Sequence, residues 1–271
     1  MFAGRIKDLV LSSEYSVRTT GFLSPLEQRE AFEAASSTGA GMRCFFWGGV
    51  PETERRALVM VPDWMTPAGV FGGAFDPERE DALWEMILSG GDGGEVSGVI
   101  CPIEISASGY EAPLSHRDYL GALLGLGLER DTIGDIAITG DFGAVVFVLE
   151  RSADFIVQNL VKVGASAVKA GRTCLPEGFR VPREFEVITD TVMSVRLDGV
   201  IRALCKISRE AASSLVEKGD VTLNYAVETK TDREIKKGDV LSVKGYGKYI
   251  YDGDRGVNRR GRIRIDARKY L

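Results

Sequence analysis

The sequence predicts an α+β protein of three units, and three observations predict it. Apolar spacing switches repeatedly between helical and strand periods. Cap and turn residues fall where those periods change. Charge is segregated: residues 190–271 carry 18 Lys and Arg against 12 Asp and Glu, a net +6, whereas the rest carries 16 against 27, a net −11. The expected units are an N-terminal α/β unit over residues 1–74, a β-α-β-β-α-β unit over 75–171, a linker over 172–189 and a basic domain over 190–271. No long-period repeat and no low-complexity segment interrupts them.

In the first unit, Met1–Val10 reads as an amphipathic helix rather than a signal peptide, because Arg5, Lys7 and Asp8 break its apolar run. Phe22-Leu-Ser-Pro-Leu-Glu-Gln28 starts a second helix: Ser24 caps it, Pro25 suits its first position and Glu27 completes a capping box. Cys44–Trp47 and Ala57–Val61 read as strands, separated by Gly48, Gly49 and Pro51. A short helix is expected at Pro77–Leu88, followed by a Gly-rich turn at Gly90–Gly94.

In the second unit Val99, Cys101, Ile103 and Ile105 alternate as a strand. Ser115 caps a helix whose apolar face is Leu120, Leu123, Leu124 and Leu128. Ile133–Ile138 and Ala144–Leu149 form a hairpin about Thr139–Gly143. Ser152 is expected to cap a helix running through Val163 and ended by Gly164, before a last strand at Ala165–Ala170. This order is the split βαβ pattern, which hosts RNA-recognition modules among many other functions.

After a linker containing Pro176 and Pro182, Leu197, Val200, Ile201 and Leu204 share one helical face. Ser208 caps a second helix with Ala212, Leu215 and Val216 buried, and Gly219 ends it. Val221, Leu223 and Tyr225 alternate as a strand, Lys237-Gly-Asp239 turns, and Val240–Val243 is a second strand. Two short helices therefore cover a small twisted sheet. Arg196, Arg202, Arg209 and Lys218 lie off that core. Arg260, Arg262 and Arg264 are expected on one face of a terminal strand, opposite Ile263 and Ile265, so that three guanidinium forks face phosphates in a row. Such contacts fix a protein on a nucleic acid without reading its sequence, and recognition by shape is expected.

Several chemistries find no support. Cys44, Cys101, Cys174 and Cys205 are scattered without a Cys-x-x-Cys pair, which fits reduced thiols, a cytoplasmic protein and no zinc site. No apolar run is long enough to span a membrane. The single histidine, His116, stands with Arg117 in the first turn of a capped helix; both helix-start structure and an RNA contact remain open for the pair. Glu27, Asp118 and Asp135 read as caps and salt bridges rather than acid–base catalysts. Gly39-Ala-Gly41 and Gly245-Tyr-Gly247 are incomplete nucleotide fingerprints, and Asp141-Phe-Gly143 stands without other kinase elements. Phe147 is expected in the core rather than on a base-stacking surface. No catalytic residue, metal site or cofactor is expected.

The C-terminal segment resembles the S4 (αL-like) RNA-binding domain in Arg196-Leu-Asp198, Ile207-Ser-Arg-Glu210, Leu215-Val-Glu-Lys-Gly219, Val221-Thr-Leu-Asn224 and Lys237-Gly-Asp-Val-Leu241. That resemblance implies RNA contacts by Arg196 and Arg209, with Lys218 and Asn224 following by position. Ser208, Arg202, Lys244 and Lys248 complete the candidate set. Over nearly the whole chain, Phe22–Gln28, Phe45-Phe-Trp-Gly-Gly49, Glu54-Arg-Arg-Ala57, Ser115–Gly121, Leu126-Gly-Leu128, Gly134-Asp-Ile136, Tyr246-Gly-Lys-Tyr249 and Gly261-Arg-Ile-Arg264 are similar to the bacterial YlmH family. One departure is Leu26, where that family usually has Arg. The family resemblance implies ribosome-associated quality control. It implies binding to large-subunit rRNA and tRNA on a 50S subunit carrying peptidyl-tRNA, by a monomer, with other quality-control factors as candidate partners. Cell-division and photosystem-related descriptions also attach to relatives. The rival reading is an RNA-modifying enzyme using an S4 domain as its anchor.

Overall fold

The computed structural model describes residues 2–39, 43–51, 53–62, 98–107 and 113–270. The α+β class holds, with helices and antiparallel sheets in both of the compact units into which the chain divides, at Pro182/Arg183. The expected helix at Pro77–Leu88, the turn at Gly90–Gly94 and the 74/75 boundary lie outside the described residues, and Gly39-Ala-Gly41 lies partly outside them.

The first unit is built by strands that are apolar on both faces. Helix α1 (Phe2–Ser12) precedes β1 (Arg18–Leu23), α2 (Pro25–Ser36), β2 (Cys44–Trp47) and β3 (Arg56–Met60), and the sheet order is β1-β3-β2. One face of this sheet packs Phe46, Leu58 and Met60 against Ile6 and Val10 of α1 and Ala31 and Ala35 of α2. The other presents Phe45, Trp47 and Val59 to a second sheet. That second sheet comes from β4 (Ile100–Ala107), α3 (His116–Gly125), β5 (Ile133–Gly140), β6 (Gly143–Leu149), α4 (Glu150–Asn159), β7 (Lys162–Val163) and β8 (Ser166–Arg172), ordered β5-β6-β4-β8-β7. Strand β6 shows why its sequence is continuously apolar. Val145, Phe147 and Leu149 face the first sheet, while Ala144, Val146 and Val148 face Tyr119, Leu123 and Ile156 of the covering helices. Phe147 is fully buried, as expected. Gly49, at φ +103°, lets the loop pass the Phe147 ring, where a Cβ would stand 2.3 Å from a ring carbon.

Two expectations in this unit need correction, and one strand has no counterpart among them. Strand β1 was not anticipated, because Arg-Thr-Thr-Gly-Phe-Leu has no period-two pattern; its last four residues are all buried. Ser152 does not cap α4: the helix springs directly from β6 at Leu149, and Ser152 is buried within it. The helix also stops at Asn159, since Lys162–Val163 pairs with Ser166–Ala167 as a tight hairpin about Gly164.

The second unit contains β9 (Phe185–Val192), α5 (Leu197–Cys205), α6 (Arg209–Glu217), β10 (Val221–Leu223), β11 (Ala226–Val227), β12 (Val240–Val243), β13 (Gly247–Val257) and β14 (Ile263–Tyr270). The strand order is β11-β10-β12-β13-β14-β9, all antiparallel. Leu197, Val200, Ile201, Leu204, Ala212 and Val216 lock the two helices onto Leu223, Leu241, Tyr249, Tyr251 and Ile265 on one face of the sheet. Burying each of the Leu, Val and Ile side chains stabilises by about 1.5–3 kcal/mol. Strand β9 begins inside the segment expected to be a linker, because it pairs along the whole of β14, from Phe185–Tyr270 to Val192–Ile263. Leu175, Phe179 and Val181, also in that segment, pack against the core of the first unit. Tyr225 is not in a strand: Asn224 and Tyr225 are the two turn residues between β10 and β11, at φ +48° and +68°.

Candidate nucleic-acid interface

The turn between α5 and α6 builds the densest group of candidate residues. Lys206 ends α5 in the left-handed region, and Ser208 opens α6 by accepting a hydrogen bond from the Ala211 amide at 3.1 Å. This tight reversal returns Arg209 to the first turn of α5. There the Arg209 guanidinium donates from Nε and Nη2 to Asp198 Oδ2, at 2.9 and 2.8 Å. The Asp198 side chain is only 5% exposed, and its Oδ1 accepts the Gly199 amide at 2.7 Å. Arg196, at the N-cap of α5, holds its Nε 3.8 Å from the same Oδ1, within ion-pair range but beyond a hydrogen bond. The Arg196 and Arg209 side chains are 43% and 60% exposed. One buried carboxylate therefore gathers two arginines whose forks reach solvent, a geometry suited to phosphate oxygens.

Other candidates are placed differently. Arg202 donates from Nη2 to the Thr191 carbonyl at 3.1 Å, tying α5 to β9. Asn224 donates from Nδ2 to Asp239 Oδ1 and accepts the Val240 amide on Oδ1, both at 2.9 Å, so its amide ties the β10–β11 turn to the start of β12. Lys244 donates to Asp220 at 2.9 Å, which raises its pKa, while its side chain stays 78% exposed. Lys218 caps the end of α6 and is exposed. Lys248 extends its ammonium between the rings of Tyr225 and Tyr270, 4.9 and 4.7 Å from their centroids.

The expected row of arginines on the terminal strand is corrected. Only Arg264 lies in β14. Arg260 and Arg262 belong to the β13–β14 turn, where Asn258 Oδ1 accepts both of their amides, at 2.9 and 3.0 Å. Gly261 at φ +73° breaks the period of two. Arg260 and Arg264 are exposed and Arg262 is half-buried. With Arg255, ion-paired to Asp266, they make the hairpin end strongly basic.

His116 and Arg117 lie in the first unit, exposed at the start of α3. The helix start is built by a capping box: the Ser115 amide and hydroxyl both donate to Asp118 Oδ2, at 2.8 and 2.7 Å, and hold the Asp118 pKa below its usual range. Partial desolvation, then the nearby Arg130 cation, lower the His116 pKa. Glu27 closes the equivalent box on Ser24, while Asp135 accepts the Glu54 and Arg55 amides, at 2.8 and 3.0 Å. In the sequence Asp198 stands out only as part of the Arg196-Leu-Asp198 motif, and neither its role as the shared anchor nor that of Asp220 shows there. Both partners are remote in sequence, 11 and 24 residues away. Among the described residues no group of three or more metal-ligating side chains comes together.

Residues 100–176, which contain the five-stranded sheet and its helices, match the family model described as a putative RNA-binding domain in YlmH. The chain is similar to the ribosome-associated protein quality control protein P2 of Bacillus subtilis (strain 168), with 26% identity over 257 residues, spanning 94% of this chain and 88% of that protein. Among solved structures, a cell division protein ylmH from Streptococcus pneumoniae matches at 19% identity and a TM-score of 0.45, covering 64% of this chain and 89% of that one, a likeness too low to carry an argument.

Proposed function

This chain belongs to the YlmH family, and from that premise we propose that it is a non-enzymatic RNA-binding protein of ribosome-associated quality control. In this reading, residues 190–271 act as an S4 domain on the large ribosomal subunit, contacting rRNA and the tRNA of a 50S–peptidyl-tRNA complex. The observation that carries the reading is the Arg196–Asp198–Arg209 cluster, an exposed and a half-buried arginine side chain held by one buried carboxylate. Flexible cations lose conformational freedom when they bind phosphate, and tethering them beforehand lowers that cost. The net +6 of residues 190–271 and the basic β13–β14 hairpin add non-specific attraction to RNA. The RNA-binding description of residues 100–176 supports a second contact region, to which His116 and Arg117 belong. The ribosome-associated role of the Bacillus subtilis relative supports the ribosome as the location of that RNA, and hence a cytoplasmic protein.

Mechanistically, the protein stabilises one tRNA-bound state of the subunit by binding it more tightly than the vacant one. Two-site contact with rRNA and tRNA gives that preference, because only the loaded subunit offers both surfaces. The test is co-sedimentation with 50S subunits, 70S ribosomes and 50S–peptidyl-tRNA complexes. Selective recovery with the last, lost in an Arg196→Ala/Arg209→Ala protein, is expected. Absence of ribosome association at moderate salt would overturn the proposal.

A further inference from the structure

The helices cover one face of the six-stranded sheet, and the opposite face carries an alternation of rings and cations. One step beyond the Tyr249–Lys269 pair, Lys248 lies against Tyr270, which pairs with Phe185, and Arg268 pairs with Val187 in the neighbouring row. Lys248 lies between the Tyr225 and Tyr270 rings; the Tyr270 and Phe185 rings meet edge-on at 4.9 Å; the Arg268 guanidinium lies 4.9 Å from the Phe185 centroid. The order across this face is therefore Tyr225, Lys248, Tyr270, Phe185, Arg268. Val187 and Val227 on the same face are 72% and 64% exposed, and Phe185, Tyr225 and Tyr270 are half-buried.

Tyr225 holds its place in this series against a local preference. It is the second residue of a two-residue hairpin loop with both φ angles positive, a turn that favours Asn-Gly. A bulky side chain there is strained, and such strain gathers at functional positions. The strained turn sets the Tyr225 ring over Lys248.

We infer that this face is a stacking platform for unpaired nucleobases of RNA, with Tyr225 and Tyr270 as the stacking rings and Lys248 beside the phosphates, while Arg268, whose Nε and Nη2 donate to the Asp252 carboxylate at 2.9–3.1 Å, braces the Phe185 ring. This deepens the RNA-binding reading and rests on it. The chemistry favours single-stranded RNA because every exposed base offers a π-face to a ring, whereas bases stacked inside a duplex do not. The Lys248 ammonium held between the rings supplies the charge complement to the backbone.

The test compares a stem–loop RNA having a long unpaired loop with a blunt duplex of equal length, using the full chain and fluorescence anisotropy. Tyr225→Gly should weaken stem–loop binding about fivefold or more while duplex binding stays within about twofold of the parent. Its Tm should not fall, because Asn-Gly suits the turn. Tyr225→Phe should bind as the parent does, and Tyr225→Asn, which also tolerates the turn, should repeat the loss. Unchanged stem–loop binding in Tyr225→Gly and Tyr225→Asn would overturn the inference, as would equal losses on both RNAs. A parent protein that binds neither RNA would overturn the RNA-binding reading together with it, and is distinguishable from those outcomes.

Discussion

In the first unit, Arg55 and Arg130 turn their N–H groups inward. Arg55 donates to the Phe22 and Ile133 carbonyls, at 2.7 and 3.3 Å, and Arg130 donates to the same Ile133 carbonyl. Burial lowers the pKa of both, and the neighbouring Arg55 charge helps push Arg130 down to about 10. In the second unit, Arg196 and Arg209 are held by a carboxylate that is itself buried, while their own side chains reach water. The same residue type thus closes a backbone junction at Arg55 and Arg130 and is presented outward at Arg196 and Arg209. Counting arginines does not separate these uses. The identity and burial of the partner do.

The largest effect expected from this contrast comes from Arg55→Ala. It leaves the Phe22 carbonyl without its charged donor and the Ile133 carbonyl with Arg130 alone, and it should lower unfolding free energy by about 2 kcal/mol. Urea denaturation checks this. RNA affinity of the folded fraction should be unaltered, and a large affinity loss with little change in stability would break the contrast.

Asp198→Asn sharpens it. This change raises net charge, so an account based on charge alone expects tighter RNA binding. The tethering account expects weaker binding, because Arg196 and Arg209 lose their anchor, with a stability cost of about 1.5 kcal/mol. Binding isotherms at fixed salt decide between them, and tighter binding would favour the charge-only view.

The smallest effect is a pH dependence. His116 has a folded pKa below its unfolded value of 6.5, because partial desolvation and then Arg130 disfavour its charged form. Its contribution is present above pH 6.5 and is lost as pH falls through the folded pKa. His116→Gln should flatten the fall in Tm between about pH 7 and about pH 5. Superimposable Tm–pH profiles would show that the histidine is uninvolved.

Features encoded within a few residues were legible in the sequence. The boxes Ser24/Glu27 and Ser115/Asp118, the Ser208 cap and the Gly219 stop each depend on near neighbours, and all appear where they were expected. The apolar faces of α5 and α6 were legible for the same reason. What failed was non-local or depended on one backbone torsion. Strand β9 shows no clean alternation, and its place follows from pairing with β14, about eighty residues on. The Arg260–Arg264 alternation looked continuous until Asn258 and Gly261 folded it into a turn. Tyr225 completed an apparent period of two, yet the hairpin placed it in the left-handed region. Of the site itself, the candidate cations were readable, but the anions that position them were not. Asp198 meets Arg209 only after a helix reversal, and Asp220 meets Lys244 only across paired strands.

The central claim is that tethered cations of the second unit hold the protein on ribosomal RNA. The most direct measurement is the affinity of the full chain for 50S–peptidyl-tRNA complexes over a range of salt, for the parent and for Arg196→Ala/Arg209→Ala. The account predicts weaker binding and a salt slope lower by about two, one for each lost phosphate contact. An unchanged slope and affinity would contradict it and move the RNA contact elsewhere on the molecule.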